Sequence, residues 1–242
     1  KLIEMPGRSG PIRRLSDRRA DPGQQEALSG QGLPIEARLS AALAHRERLF
    51  DQPFYRLVHA EGDGLPGVVI DRFGDAAVIQ PNAVWADARI EDICDALAEA
   101  TGVSAIIVNG AGRARALEGL DAEVRLERGE ISAPVATPMN GAVYLADLIG
   151  GQKTGLFFDQ RPNHAFAARL GKGRTVLDVF AHAGGFSLAC LANGAKSALA
   201  IDSSEPALAL ATRAADINGV AGQFDLQRGD ANDVMRDLAR DG

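Results

Sequence analysis

Cysteine is scarce. Cys94 and Cys190 are the two in 242 residues, and they stand far apart with no C-x-x-C pair. That spacing excludes a disulfide framework and a zinc site built on paired cysteines, and both are read as small buried hydrophobes. His45, His59, His164 and His182 include no i, i+4 pair of the kind that binds metal from a helix, so no metal is expected. Long apolar runs are missing too. None approaches the roughly 18 residues of a membrane span, so no membrane-spanning helix is expected. The first residues carry arginine but no apolar block behind it, so no secretory signal is visible and the cytoplasm is the default location. An excess of positive charge is also absent. A net charge of -6 argues against a protein that grips nucleic acid over its whole surface, although a local basic groove is compatible with it.

What remains is a chain with 46% hydrophobic and 24% charged residues, the composition of a soluble globular protein, long enough for two domains. Residues 1–33 hold no aromatic side chain and many Gly, Pro, Ser and Gln residues, so they are expected to be disordered or loosely attached. Their "RRLSDRR" cluster, Arg13 to Arg19, reads as a solvated tail or an RNA-phosphate contact. Over residues 34–50, Ile35, Leu39, Leu43 and Leu49 recur at near-helical spacing and predict an amphipathic helix.

Residues 51–147 read as a small α+β domain. "YRLVHAE", "GVVIDRF" and "AAVIQ" form an expected antiparallel meander, and "SAIIVNG", "AEVRLER" and "GAVYLAD" add further strands. Between them, Ile90, Ile93, Cys94, Leu97 and Ala98 mark one packed helix from Asp87 to Thr101. A connecting segment, 148–172, follows.

From residue 173 the pattern becomes β-α-β-α-β, with strands "RTVLDVF", "KSALAID" and "QFDLQRGD" and helices "GGFSLACLANG" and "SEPALALATRAADING". The fold class is therefore α/β, the first half of a doubly wound, Rossmann-like sheet. In such sheets ligands lie beyond the carboxyl ends of the strands. Asp178 and Phe180 fall at the end of the first strand, Gly184 and Gly185 at the next turn, Asp202 at the second strand end and Asp230 at the third. Glycine lets backbone approach a ligand, Asp202 suits ribose hydroxyls, and Asp230 suits an exocyclic amine such as that of adenine.

An adenosine-bearing cofactor follows, either S-adenosylmethionine or NAD. The G-x-G-x-x-G fingerprint of a pyrophosphate site is absent from F-A-H-A-G-G-F. Asp178 would repel a pyrophosphate and suits the cationic amino group of methionine, so the residues favour S-adenosylmethionine.

"YRLVHAEGDGLPGVVIDRFGD", "KTGLFFDQRPN" and "VLDVFAHAGGFSLA" together resemble the bacterial class I S-adenosylmethionine-dependent methyltransferases that make 5-methylcytosine in large-subunit ribosomal RNA, a family with an N-terminal PUA domain. The resemblance covers about Phe50 onward. It implies that K-T-G-x-x-x-D-Q-R lies against the cofactor, with Phe157 and Phe158 supplying apolar surface and Gln160 and Arg161 fixing polar ends. It also implies ribosomal RNA as partner, and a cysteine nucleophile and a D-P-P motif on strands later than Gly242. On this reading the chain is incomplete at both ends, residues 1–33 do not resemble a PUA domain, and no catalytic residue is named within it. Weak cofactor binding and no methyl transfer are expected of it alone, and the open edge of the strand from Arg174 to Phe180 invites pairing with a second copy. The rival readings are a non-catalytic RNA-binding remnant and a nicotinamide-dependent oxidoreductase.

Overall fold

A computed structural model describes residues 33–132 and 134–241. The expectations for residues 1–32, the arginine cluster included, lie outside the described residues. Helix α1 (Ile35–Glu47) buries Ile35, Leu39 and Ala42. Leu49 does not extend that stripe: the helix has ended, its spacing is lost, and the side chain is 61% exposed.

Five strands follow in one sheet, in the order β1 (Phe54–His59), β2 (Val68–Phe73), β3 (Ala76–Pro81), β4 (Ala105–Asn109) and β5 (Val124–Arg128), with the short helix α4 (Arg113–Leu117) between the last two in sequence. The first three form the expected antiparallel meander. β4 runs parallel to β3, because α2 (Val84–Ala88) and α3 (Ile90–Thr101) carry the chain back across the sheet. One helix was expected there. Arg89, at φ -117° and ψ 29°, breaks it, while the Trp85 indole donates 2.9 Å to the Pro66 carbonyl and fixes the first piece independently.

Strand alternation divides the core. Ala77, Ile79 and Ile106 face one way, onto Leu39, Ile93 and Leu97 of α1 and α3. Ala76, Val78, Ala105 and Ile107 face the other way, into a layer shared with Tyr144, Leu156, Phe158 and Leu188. Because β3 and β4 are covered on both faces, they read as nearly unbroken apolar runs.

The C-terminal part begins in space before it begins in sequence. β6 (Val135–Met139) and β7 (Ala142–Ala146) form an antiparallel hairpin outside the five-stranded sheet. β7 packs on α6 (Gly185–Ala192) and α7 (Glu205–Ile217). The V-A-T-P-M segment carries no strand signal in the sequence because Pro138 interrupts it. Opposite Pro138, Val143 turns its own N–H and C=O outward to the side-chain amide of Asn218, at 2.8 and 2.7 Å, so the proline's missing donor is not needed.

β8 (Thr175–Val179), β9 (Ser197–Asp202) and β10 (Phe224–Arg228) are parallel in the order β10-β9-β8, with α6 and α7 as crossovers and α8 (Ala231–Asp241) after β10. This is the Rossmann-like α/β arrangement expected. Among the described residues β8 has no partner on its second edge, and Leu177 there is half exposed. α5 (Arg161–Gly171) joins the two parts. No helix of the described residues is long and apolar enough to cross a membrane.

Candidate functional site: the loop between β8 and α6

The chain leaves β8 through a tight loop in which Phe180, His182 and Gly184 all take left-handed backbone, with φ of 63°, 50° and 76°. For Phe180 this conformation is costly, of order 1–3 kcal/mol, and such strain persists only where neighbours enforce it. Here they do. Ala181 N–H donates 3.0 Å to the Ile201 carbonyl, and His182 N–H donates 2.8 Å to Asp202 Oδ2. The Phe180 side chain is left 72% exposed at the strand end.

Asp202 holds two loops at once, since its Oδ1 accepts from Ser204 N–H at 2.8 Å. Each oxygen keeps a second lone pair. The Gly229 N–H donates 3.1 Å to the Asp202 carbonyl, which brings the end of β10 alongside. There Asp230 caps α8, its Oδ1 accepting from Asn232 N–H at 2.9 Å and Asp233 N–H at 3.3 Å.

Asp178 is buried beneath the loop. Its Oδ2 accepts from Ser187 N–H at 2.9 Å and Ser187 Oγ at 2.7 Å, tying β8 to the first turn of α6. Burial pushes its carboxyl above the usual range, against the opposing pull of the bonds from Ser187 and Phe186.

Gly185 opens α6 with no room to spare. A Cβ there would stand 2.6 Å from His164 Nε2, and the Gly185 carbonyl accepts from the Tyr144 hydroxyl at 3.2 Å. His164 is itself buried, edge-on to Phe186 at 4.5 Å and stacked towards Tyr144 at 6.2 Å, and its Nδ1 has no hydrogen-bond partner among the described residues. Burial pulls its pKa down to about 4, so the imidazole is neutral at pH 7.

The K-T-G-x-x-x-D-Q-R segment reaches this loop through one ring. Phe157 meets His182 edge-on at 5.1 Å, with the Lys153 ammonium 4.6 Å above the Phe157 ring. Phe158 turns the other way and packs on Phe73 at 4.9 Å. Thr154 donates to Asp71 Oδ2 at 2.6 Å.

Of the expected site residues, the structure gathers Asp178, Phe180, Gly184, Gly185, Asp202 and Asp230 around one set of strand ends. The side chains of Gln160 and Arg161 are engaged elsewhere. Gln160 Oε1 accepts from the Asn163 side chain, in the first turn of α5, at 3.0 Å. Arg161 donates 2.9 Å to the Phe54 carbonyl and lies 4.5 Å over the Phe50 ring. Tyr144 and Ser187 complete the loop's support. Neither carries a sequence signal, because each acts through a partner more than a helical turn away.

The acceptor set suits one class of ligand. Carboxylates at the ends of β9 and β10, above the buried Asp178 and with no glycine-rich pyrophosphate cradle, fit ribose hydroxyls and an amine better than a dinucleotide's phosphates. This is the strand-end crevice of a Rossmann-like fold, the place where ligands lie in such sheets.

The sequence profile of one family, S-adenosylmethionine-dependent methyltransferase, matches residues 96–230. The chain belongs to that family, which sets the nicotinamide alternative aside. It is 38% identical over 186 residues to the ribosomal RNA large subunit methyltransferase I of Tolumonas auensis, covering 75% of this chain and 47% of that protein. The chain thus spans about half the length of the curated relatives it matches. A protein of Streptococcus mutans, provisionally described as a SAM-dependent methyltransferase, superposes with a TM-score of 0.74 at 22% identity, over 85% of this chain and 54% of that one. A second solved structure with the same TM-score, at 21% identity over 85% of this chain and 54% of the other, is complexed with S-adenosylhomocysteine. At this identity the likeness is one of fold.

Proposed function

We propose that this chain serves the S-adenosylmethionine-dependent methylation of large-subunit ribosomal RNA in the cytoplasm, at carbon 5 of a cytosine. The observation that carries the reading is Asp202, braced across the β9 end beside a strained glycine loop, in a chain whose relatives are named for that RNA. S-adenosylmethionine, when bound, supplies a sulfonium methyl group.

The chain's residues have separate tasks in that reading. Asp202 offers its remaining lone pairs to ribose hydroxyls, and Asp230 offers its carboxylate to the adenine amine. Gly184, at positive φ, and Gly185, packed on His164, set the path of the loop backbone beside the ligand, and exposed Phe180 supplies an apolar wall. Asp178 acts from below, as the residue that fixes α6 and adds negative potential near a cationic amino group.

Carbon 5 of cytosine is a weak nucleophile, and its methylation calls for a thiolate that adds to carbon 6 and leaves after a base removes the carbon 5 proton. Cys94 and Cys190 are buried. Burial pushes the Cys94 thiol up to about 11 and raises that of Cys190, so the thiolate this reading requires is neither of them.

The test is disruption of the gene for this chain, followed by mass spectrometry of the host's large-subunit ribosomal RNA. Loss of one 5-methylcytidine, restored by complementation, is expected. An unchanged methylation map, or loss of a methyl group from another base, would overturn the reading.

A further inference from the structure

Between α1, β1 and the Phe158–Arg161 turn lies an open cavity of about 630 Å³, lined by His45, Leu49, Phe50, Tyr55, His59 and Arg161 among others. Three guanidinium groups reach it. Arg46 is neutralised by a two-pronged bond to Asp63, at 2.7 and 2.6 Å, and Arg56 by one to Asp71, at 2.9 and 3.0 Å. Arg161 has no carboxylate partner among the described residues. Nη1 donates to the Phe54 carbonyl, while Nε and Nη2 have no acceptor among the described residues. Its plane is fixed by stacking on Phe50, which stacks in turn on Tyr55 at 5.3 Å and 23°. Asp51 attracts this half-buried cation without bonding to it, Asp159 lines the same cavity, and desolvation lowers the guanidinium's pKa.

We infer that the cavity binds a nucleotide of single-stranded RNA next to the one being modified, with Arg161 on its backbone phosphate and the nucleoside against Leu49 and the accessible edge of Phe50. The inference rests on the RNA-modifying reading above and gives it a second site. A rigid guanidinium with free donors matches a phosphodiester, and an apolar wall with imidazoles at its rim suits an unstacked base. The position fits as well. Phe158 lines the cavity while its neighbour Phe157 touches His182 of the glycine loop, so a single short segment of chain borders both sites.

The experiment measures binding of a fluorescent single-stranded oligoribonucleotide of large-subunit sequence, with calorimetric S-adenosylhomocysteine binding alongside. Arg161→Met should weaken RNA binding about tenfold and lower the salt slope by about 0.7, the share of one phosphate on a single strand, while leaving S-adenosylhomocysteine affinity unchanged. Leu49 is exposed at the cavity rim and can change without disturbing the core. If Arg161→Met fails to fold, Leu49→Glu should weaken and Leu49→Lys should strengthen RNA binding, each about threefold. RNA affinity unmoved by these changes overturns the site alone, and so does an Arg161→Met protein that loses S-adenosylhomocysteine but keeps RNA. No RNA binding by the unaltered chain overturns both the site and the RNA-modifying reading.

Discussion

The Thr154 hydroxyl donates a 2.6 Å hydrogen bond to Asp71 Oδ2 across 83 residues of sequence, and both side chains are fully buried. Asp71 also receives the two-pronged guanidinium of Arg56. The K-T-G string is thereby locked to the V-V-I-D-R-F strand, and the lock sets where Phe157 and Phe158 diverge.

Thr154→Val keeps the shape of the side chain and removes its hydroxyl, leaving one Asp71 oxygen a donor short. The expected loss is about 1–3 kcal/mol in urea unfolding. Asp71→Ala should cost more, about 3 kcal/mol or above, because Arg56 then loses its partner in a largely buried place. An unchanged midpoint for Thr154→Val would remove the lock from the account.

Asp202→Ala should weaken S-adenosylhomocysteine binding about tenfold or more by calorimetry, since it removes both the brace on His182 and Ser204 and the acceptors offered to ribose. NAD should give no heat with either protein. Undiminished affinity would take Asp202 out of the site.

Gly185→Ala should be disruptive, because its Cβ would meet His164 Nε2 at 2.6 Å. His164→Ala removes the obstacle. The double variant should therefore be more stable than the sum of the two single losses implies, by about 1 kcal/mol in a double-mutant cycle. Additivity would mean that the ring and the loop do not press on each other.

His164 should also make stability depend on pH. Its folded pKa of about 4 lies below the ordinary 6.5, so the unfolded chain takes up a proton first as pH falls. Its contribution is fully present above pH 6.5 and is lost on going down to about pH 4, a difference of about 3 kcal/mol. His164→Phe, which suits the rings of Tyr144 and Phe186, should flatten that part of the profile relative to the unaltered chain. Parallel profiles would show that the imidazole titrates freely in the native state.

Much of the architecture was legible because it is written in local periodicity. The β-α-β-α-β alternation, the apolar run of "RTVLDVF" and the glycine pair after it place Asp178 and Asp202 at strand ends and Gly184 and Gly185 where the next helix begins. The β6 strand was not legible, since Pro138 is tolerated only because Val143 bonds to Asn218, which lies 75 residues away in the chain. Leu49 shared a helical spacing with buried residues but not their helix.

By itself the sequence determined which residues stand at the ends of β8, β9 and β10, because strand and helix boundaries follow from side chains within a turn or two of each other. It determined the adenosine-cofactor class as well, through the acidic residues there and the absence of a pyrophosphate loop. The tertiary structure alone decided what each side chain does. Asp178 turned inward to Ser187, Asp202 took up two backbone N–H groups, and Arg161 left the D-Q-R string for Phe50 and the Phe54 carbonyl, 107 residues back. A charged side chain is directed by the partners that repay its desolvation, and those partners come from distant segments brought together by folding.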